Sequence, residues 1–190
     1  MKELKMKTHL LSLKLFLTLL LFTSALNAQM ILNSDRKPVV GDSFTTKYMD
    51  TTEVTEGPFG SNIAWDFSNL IATGEQWNVQ YVDPSVAPGD SLFPDADIAV
   101  SYDGIAHTFY DTDGNSVHSL GVAYDGYALV YNNKEKVAEF PFTLSSTFVD
   151  SFNAAYQIGE RVEIKNSGRI KMIGDAYGTI NLPDGSTRTA

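Results

Sequence analysis

Trp77-Asn78-Val79-Gln80-Tyr81 alternates apolar and polar side chains without a break. A strand sends successive side chains to opposite faces, so this period of two predicts a half-buried β-strand with Trp77, Val79 and Tyr81 on its core face. Ile63, Trp65 and Phe67 alternate with Ala64 and Asp66 in the same way, and Tyr127, Leu129 and Tyr131 form a third row. No 3.6-residue apolar period is sustained after Gln29. Short strands separated by Gly, Asn, Asp and Pro predict an all-β fold, an antiparallel β-sandwich or a jelly-roll-like domain.

Two hairpins follow from local pattern. Arg161–Lys165 and Arg169–Ile173 flank Asn166-Ser167-Gly168, a three-residue loop with glycine in its left-handed position. That register pairs Ile164 with Ile170 and Glu163 with Lys171. The second hairpin joins Gly104–Tyr110 to Asn115–Val122 through Asp111-Thr112-Asp113-Gly114. It sets His107 opposite or diagonal to His118, on one face with Ile105, Phe109 and Leu120. Asp83–Asp97 reads as a long loop, because Pro84, Pro88 and Pro94 obstruct a ladder. Gly178–Leu182 reads as a strand, Pro183-Asp184-Gly185 as a turn, and Ser186–Ala190 as a return strand.

The N-terminus is a different kind of sequence. Lys2, Lys5 and Lys7 precede an apolar run that is purest from Leu15 to Phe22, and Thr23, Ser24, Ala25, Asn27 and Ala28 follow. This is the layout of a secretory signal. A membrane span needs about 20 apolar residues, and Lys14 interrupts this run. Residues 1–28 are therefore expected to be a signal peptide cleaved between Ala28 and Gln29. Residues 29–190 would form one β-rich domain with no membrane span, secreted or held at the cell surface.

Of the 190 residues, 23 are acidic and 14 basic. Removing residues 1–28 takes away four lysines and one glutamate, and leaves 10 basic against 22 acidic residues, a net charge of −12. Such a surface repels nucleic acid and anionic membranes. With no cysteine, the chain has no disulfide, no thiol nucleophile and no thiolate metal site.

Motifs for chemistry are sparse. His107 and His118 could share a metal, but the only other histidine, His9, lies in the signal, and a site needs a third or fourth ligand. Asp111-Thr112-Asp113-Gly114-Asn115 begins like a calcium loop. The sixth and twelfth positions, which should be Gly and Glu, are Ser116 and Val122. Asp83, Asp90, Asp95 and Asp97 give the long loop an acidic character without fixing a ligand geometry. No cofactor is expected, calcium being the one candidate. Aromatic rows suit sugar faces, but Trp65 and Trp77 share their faces with apolar neighbours and read as core; the tyrosines of 127–131 are the better platform. There is no G-x-S-x-G, H-E-x-x-H, phosphate loop or dinucleotide fingerprint. No catalytic residue is singled out.

Several segments together carry a resemblance. They are Pro38 with Gly41-Asp42; Gly57-Pro58-Phe59-Gly60, Asn62 and Trp65-Asp66-Phe67-Ser68 with Leu70; Asp83-Pro84; Phe93-Pro94; Pro141-Phe142-Thr143; Asp150-Ser151-Phe152; and Gly178 to Gly185. In this order the mature chain resembles the N-terminal β-rich domain of large secreted Bacteroidota proteins, which end in a type IX secretion sorting domain. The resemblance implies a surface or adhesion-like role and carries no catalytic residues. Asp95-Ala96-Asp97 departs from the more neutral stretch expected after Pro94. The family's Leu-Pro-x-Gly turn leads into another strand, so the domain is expected to be incomplete at its C-terminus, as part of a larger protein. The expected function is a non-enzymatic structural or adhesion module, with extracellular polysaccharide or protein as partner. The alternatives are a carbohydrate- or calcium-binding module, or an accessory domain of a secreted hydrolase.

Overall fold

A computed structural model describes residues 30–50, 54, 57–112, 114–124, 126–158 and 162–190. The signal segment, the Ala28–Gln29 junction, Asp113 and Arg161 lie outside the described residues.

The chain is all-β, as the alternating rows predict, and consistent with a β-sandwich. Among the described residues there are eleven strands: β1 (Ser43–Met49), β2 (Gly60–Asp66), β3 (Ala72–Val82), β4 (Ile98–Tyr102), β5 (Ala106–Asp111), β6 (Ser116–Tyr124), β7 (Tyr127–Glu139), β8 (Thr147–Ile158), β9 (Val162–Ile173), β10 (Ala176–Asn181) and β11 (Thr187–Thr189). Eight of them make one antiparallel sheet in the order β1-β3-β4-β5-β6-β7-β8-β9. β11, β10 and β2 make a small second sheet, in which β2 runs parallel to β10. Pro183-Asp184-Gly185 turns β10 into β11, as its composition predicts, and Thr179 pairs with Thr189.

One face of the large sheet is closed by the Asp83–Asp97 loop. Its proline-rich sequence forms two 3-10 turns, Pro84–Val86 and Asp90–Leu92, rather than a strand. The Asp83 carboxylate caps the first by accepting from the Ser85 amide at 2.9 Å and hydroxyl at 2.6 Å. Asp97 ties the far end by accepting from the Thr112 hydroxyl at 2.5 Å. The loop thereby sets Ala87 and Phe93 onto Ala99, Phe109 and Ala123 of the sheet, and together these form a buried core cluster on this face. Phe93 stacks on Phe109 at 4.2 Å, with Phe109 fully buried. A phenylalanine buried in this way stabilises by about 1.5–3 kcal/mol.

Two expected registers are overturned. The hairpin turning at Asn166-Ser167-Gly168 does not form. β9 runs straight through these residues, and every residue from Thr147 to Ile158 pairs with one from Ile173 to Val162. Ile164 therefore faces Tyr156 and Ile170 faces Asp150. The long ladder satisfies far more backbone groups than a five-residue hairpin would. In the second case β5 and β6 do form a hairpin, but His107 pairs with Ala123, and His118 with Asp111. β6 starts by pairing with the end of β7, through Ser116–Glu139 and Val117–Ala138. This carries His118 along the sheet, away from His107.

Candidate ligand-binding groove

The opposite face of the large sheet is open. Strand alternation puts Phe44, Thr46 and Tyr48 of β1, Trp77, Val79 and Tyr81 of β3, Val100 and Tyr102 of β4, and Ala106 and Tyr110 of β5 on this face. They line a groove of about 670 Å³, completed by Val117 of β6 and by Val137 and Phe140 at the β7 end. Of the row Trp77, Val79 and Tyr81, expected in the core, Val79 is buried at the floor of the groove, while Trp77 and Tyr81 form its wall. Trp77 keeps 38 % of its surface exposed, Phe44 50 % and Tyr48 53 %. Nothing among the described residues covers them. Exposed apolar patches on this scale mark interaction surfaces.

The order of strands builds the groove. Phe44 lies opposite Val79, so its ring meets Tyr81 diagonally, at 6.2 Å and 41°. Deeper in, burial pushes the Tyr110 hydroxyl well above its ordinary range, and the nearby Tyr102 and Tyr81 add to the shift. Burial raises Tyr81 too, followed by Tyr102 and Asp42. The phenols stay neutral, and can donate one hydrogen bond each. Besides the phenols, the Thr46 hydroxyl and the Trp77 indole N–H are the polar side-chain groups of the lining, and the rest of its side chains are carbon.

The rim of the groove is an edge. β1 pairs with β3 on one side, and among the described residues no strand pairs with the other. The opposite edge of the sheet, β9, carries Lys165, Arg169 and Lys171, the charges that commonly blunt an edge. β1 has only Lys47.

The other candidate residues are dispersed. Among the described residues no three His, Asp or Glu side chains come together in a group able to hold a metal. Asp111, at the start of the calcium-like run, is ion-paired with Lys134. Asp83 and Asp97 serve the turns described above. Trp65 is half-buried in the small sheet, where a Cβ on Gly57 would fall 2.5 Å from its Nε1. Tyr131, in the tyrosine row, packs edge-on against Phe152 at 5.5 Å, while Tyr127 is exposed at the end of β7.

Sequence reading passed over Phe44, Tyr48, Tyr102 and Tyr110. The alternation Phe44-Thr45-Thr46-Lys47-Tyr48 was the available signal for the first two, but which face of a strand stays uncovered is not written locally. Compared with known proteins, the chain matches no protein-family model, no curated protein and no solved structure.

Proposed function

We propose that the mature chain is an exported, non-enzymatic adhesion module of a larger secreted or surface protein, and that its groove takes an extended apolar segment of a partner protein. One observation carries this reading: the aromatic groove is rimmed by the unguarded edge strand β1. A strand added to β1 would satisfy its backbone on that edge and lay every second side chain toward Phe44, Tyr48 and Trp77. The aliphatic floor of Val79, Val100 and Val117 favours a peptide over a sugar chain, whose many hydroxyls need polar partners. The signal-like N-terminus and the resemblance to N-terminal domains of secreted Bacteroidota proteins support the export and modular parts of the reading.

The test is a peptide array of extended decamers, alternating apolar and polar, run beside insoluble cellulose, chitin and xylan. The expected result is retention of the alternating peptides with a blue shift in Trp77 emission. Phe44→Asp should weaken that binding at least about tenfold, the effect of losing some 1.4 kcal/mol. Retention on a polysaccharide with no peptide bound would replace the protein partner by a glycan.

A further inference from the structure

The free edge of β1 has a definite hydrogen-bonding phase. The Tyr81 amide donates to the Asp42 carbonyl at 2.8 Å, and the Asp50 amide donates to the Ile71 carbonyl at 2.8 Å. On the other side of β3 the Asn78 amide donates to the Asp103 carboxylate at 2.9 Å. Successive residues of a strand turn their N–H and C=O groups to opposite sides. The even-numbered residues of β1 are therefore bonded to β3, and Ser43, Thr45 and Lys47 present their N–H and C=O groups to the open edge. Side chains keep the same parity: Phe44, Thr46 and Tyr48 line the groove, and Lys47 leaves from the opposite face. Thr46 is the small residue between two exposed rings, with Trp77 as its cross-strand neighbour. Asp42 and Lys47 are exposed charges toward either end of this edge. The Val39 amide donates to the Asp42 carboxylate at 3.0 Å. Asp42 shares the parity of Phe44, and its charge adds to the rise that burial and Tyr102 give the Tyr81 phenol of the groove.

We propose, resting on the reading of the groove as a peptide site, that the partner segment docks antiparallel to β1 in a single register, with a large apolar residue opposite Thr46, an acidic residue just before it opposite Lys47, and a basic residue four positions after it opposite Asp42. The phase of the edge sets the first element. A partner residue opposite Thr46 makes a non-hydrogen-bonded pair, the kind in which side chains come closest, so it enters the gap between Phe44 and Tyr48 and meets Trp77. Counting along an antiparallel partner then puts the preceding residue opposite Lys47, on the face away from the groove, and the fourth following residue opposite Asp42. Charge complementarity sets both signs. The excess of 22 acidic over 10 basic residues in 29–190 further favours a cationic end on the partner. A second copy of the chain fits this edge poorly. The self-pairing that stacks Phe44 on Tyr48 centres on Thr46 and sets Asp42 at the register position of Asp50, and pairing centred on Lys47 opposes two lysines.

Three end-blocked peptides of one composition test the register by calorimetry on the full secreted chain: Val-Glu-Phe-Thr-Val-Thr-Lys, the same peptide with Glu and Lys exchanged, and the first sequence reversed. The first should bind tightest. The exchanged peptide should bind at least about fivefold more weakly, because two cross-strand attractions become repulsions. That difference should shrink in about 1 M salt, which screens exposed charges. Lys47→Glu should bring these two peptides to near-equal affinity, since one pair then favours each. Adding Asp42→Asn, which keeps an oxygen for the Val39 amide, should make the exchanged peptide the tighter of the two. Both substitutions are at exposed positions. Equal binding of all three peptides would overturn the register and leave the groove standing as a peptide site. So would failure of the first peptide while other alternating peptides bind. Tightest binding of the reversed peptide would overturn antiparallel docking. A dimer in sedimentation that the first peptide does not dissociate would make a second copy the occupant. Binding of no peptide at all would overturn this proposal together with the reading it rests on.

Discussion

The ring of Phe152 lies over Gly168, its cross-strand partner in the β8–β9 ladder, so that a Cβ built on Gly168 would fall 2.6 Å from Phe152 Cζ. The ring is itself held from the other side by Tyr131. Glycine is needed here for space. Gly168→Ala should therefore destabilise by about 1–3 kcal/mol, the range for overpacking. Phe152→Leu should relieve part of that cost, so a double-mutant cycle read by urea unfolding should show non-additivity of at least about 0.5 kcal/mol. Strict additivity would mean that the ring does not sit on the glycine.

That contact explains why the 161–173 segment misleads as a sequence. Asn166-Ser167-Gly168 has turn composition, and its flanks pair plausibly by charge and by face. The residue that decides otherwise is Phe152, fourteen or more positions away from the supposed turn and invisible to local pattern. The same limit applies to Trp77, Val79 and Tyr81. Their period of two shows that they share a face of a strand, but whether a loop or solvent meets that face depends on where residues 83–97 fold back. Where the deciding partners are adjacent, as in the β10–β11 turn at Pro183-Asp184-Gly185, sequence and structure agree. His107 is the clearest loss at the candidate sites. Its burial comes from the loop, and its separation from His118 comes from β7 capturing the start of β6.

Gly121 is a second glycine fixed by its surroundings. Its φ is +145°, a Cβ there would run into the Leu129 carbonyl, and Phe93 Cε1 would be 2.6 Å away. Gly121→Ala should cost about 3 kcal/mol or more, combining backbone strain with overpacking of the Phe93–Phe109 stack. Phe93→Leu in the same background should recover part of the loss. A variant with the parent's urea midpoint would show that β6 does not take this path.

Alkaline pH should weaken the fold before general deprotonation does. Tyr131 is pushed up to about 12 by burial first and then by its hydrogen bond to Glu135 and that group's charge. In the unfolded chain a phenol titrates near 10. Between about pH 10 and 12 the unfolded state has lost this proton and the folded state keeps it, so stability falls as pH rises; below pH 10 both states are neutral and the group contributes no slope. Urea midpoints should drop across that window, and Tyr131→Phe should flatten the drop. Absorbance at 295 nm should also show late-titrating phenols, Tyr81 and Tyr110 among them. If all nine tyrosines titrated together near 10, the burial assigned to these rings would be wrong.

On the acid side the two histidines act in the same direction. Burial lowers His107, and burial followed by the Lys134 charge lowers His118; Lys136 adds to the lowering, while Asp111 and Asp150 oppose it. For a base held low in the folded state, the unfolded chain takes up the proton first. The stabilisation is complete above about pH 6.5 and is lost as pH falls below it. This window lies above the range where carboxylates such as Asp83 protonate. Proton NMR titration should place both imidazoles below 6.5, with urea midpoints declining from pH 7 toward 5. Because Asp111 and Lys134 are ion-paired beside His118, the two substitutions should pull it in opposite senses. Lys134→Gln removes a repelling charge and leaves Asp111 uncompensated, so the His118 pKa should rise. Asp111→Asn should lower it further. Neither should move His107, which owes its shift to burial alone; a shared response would mean that the two rings are coupled after all.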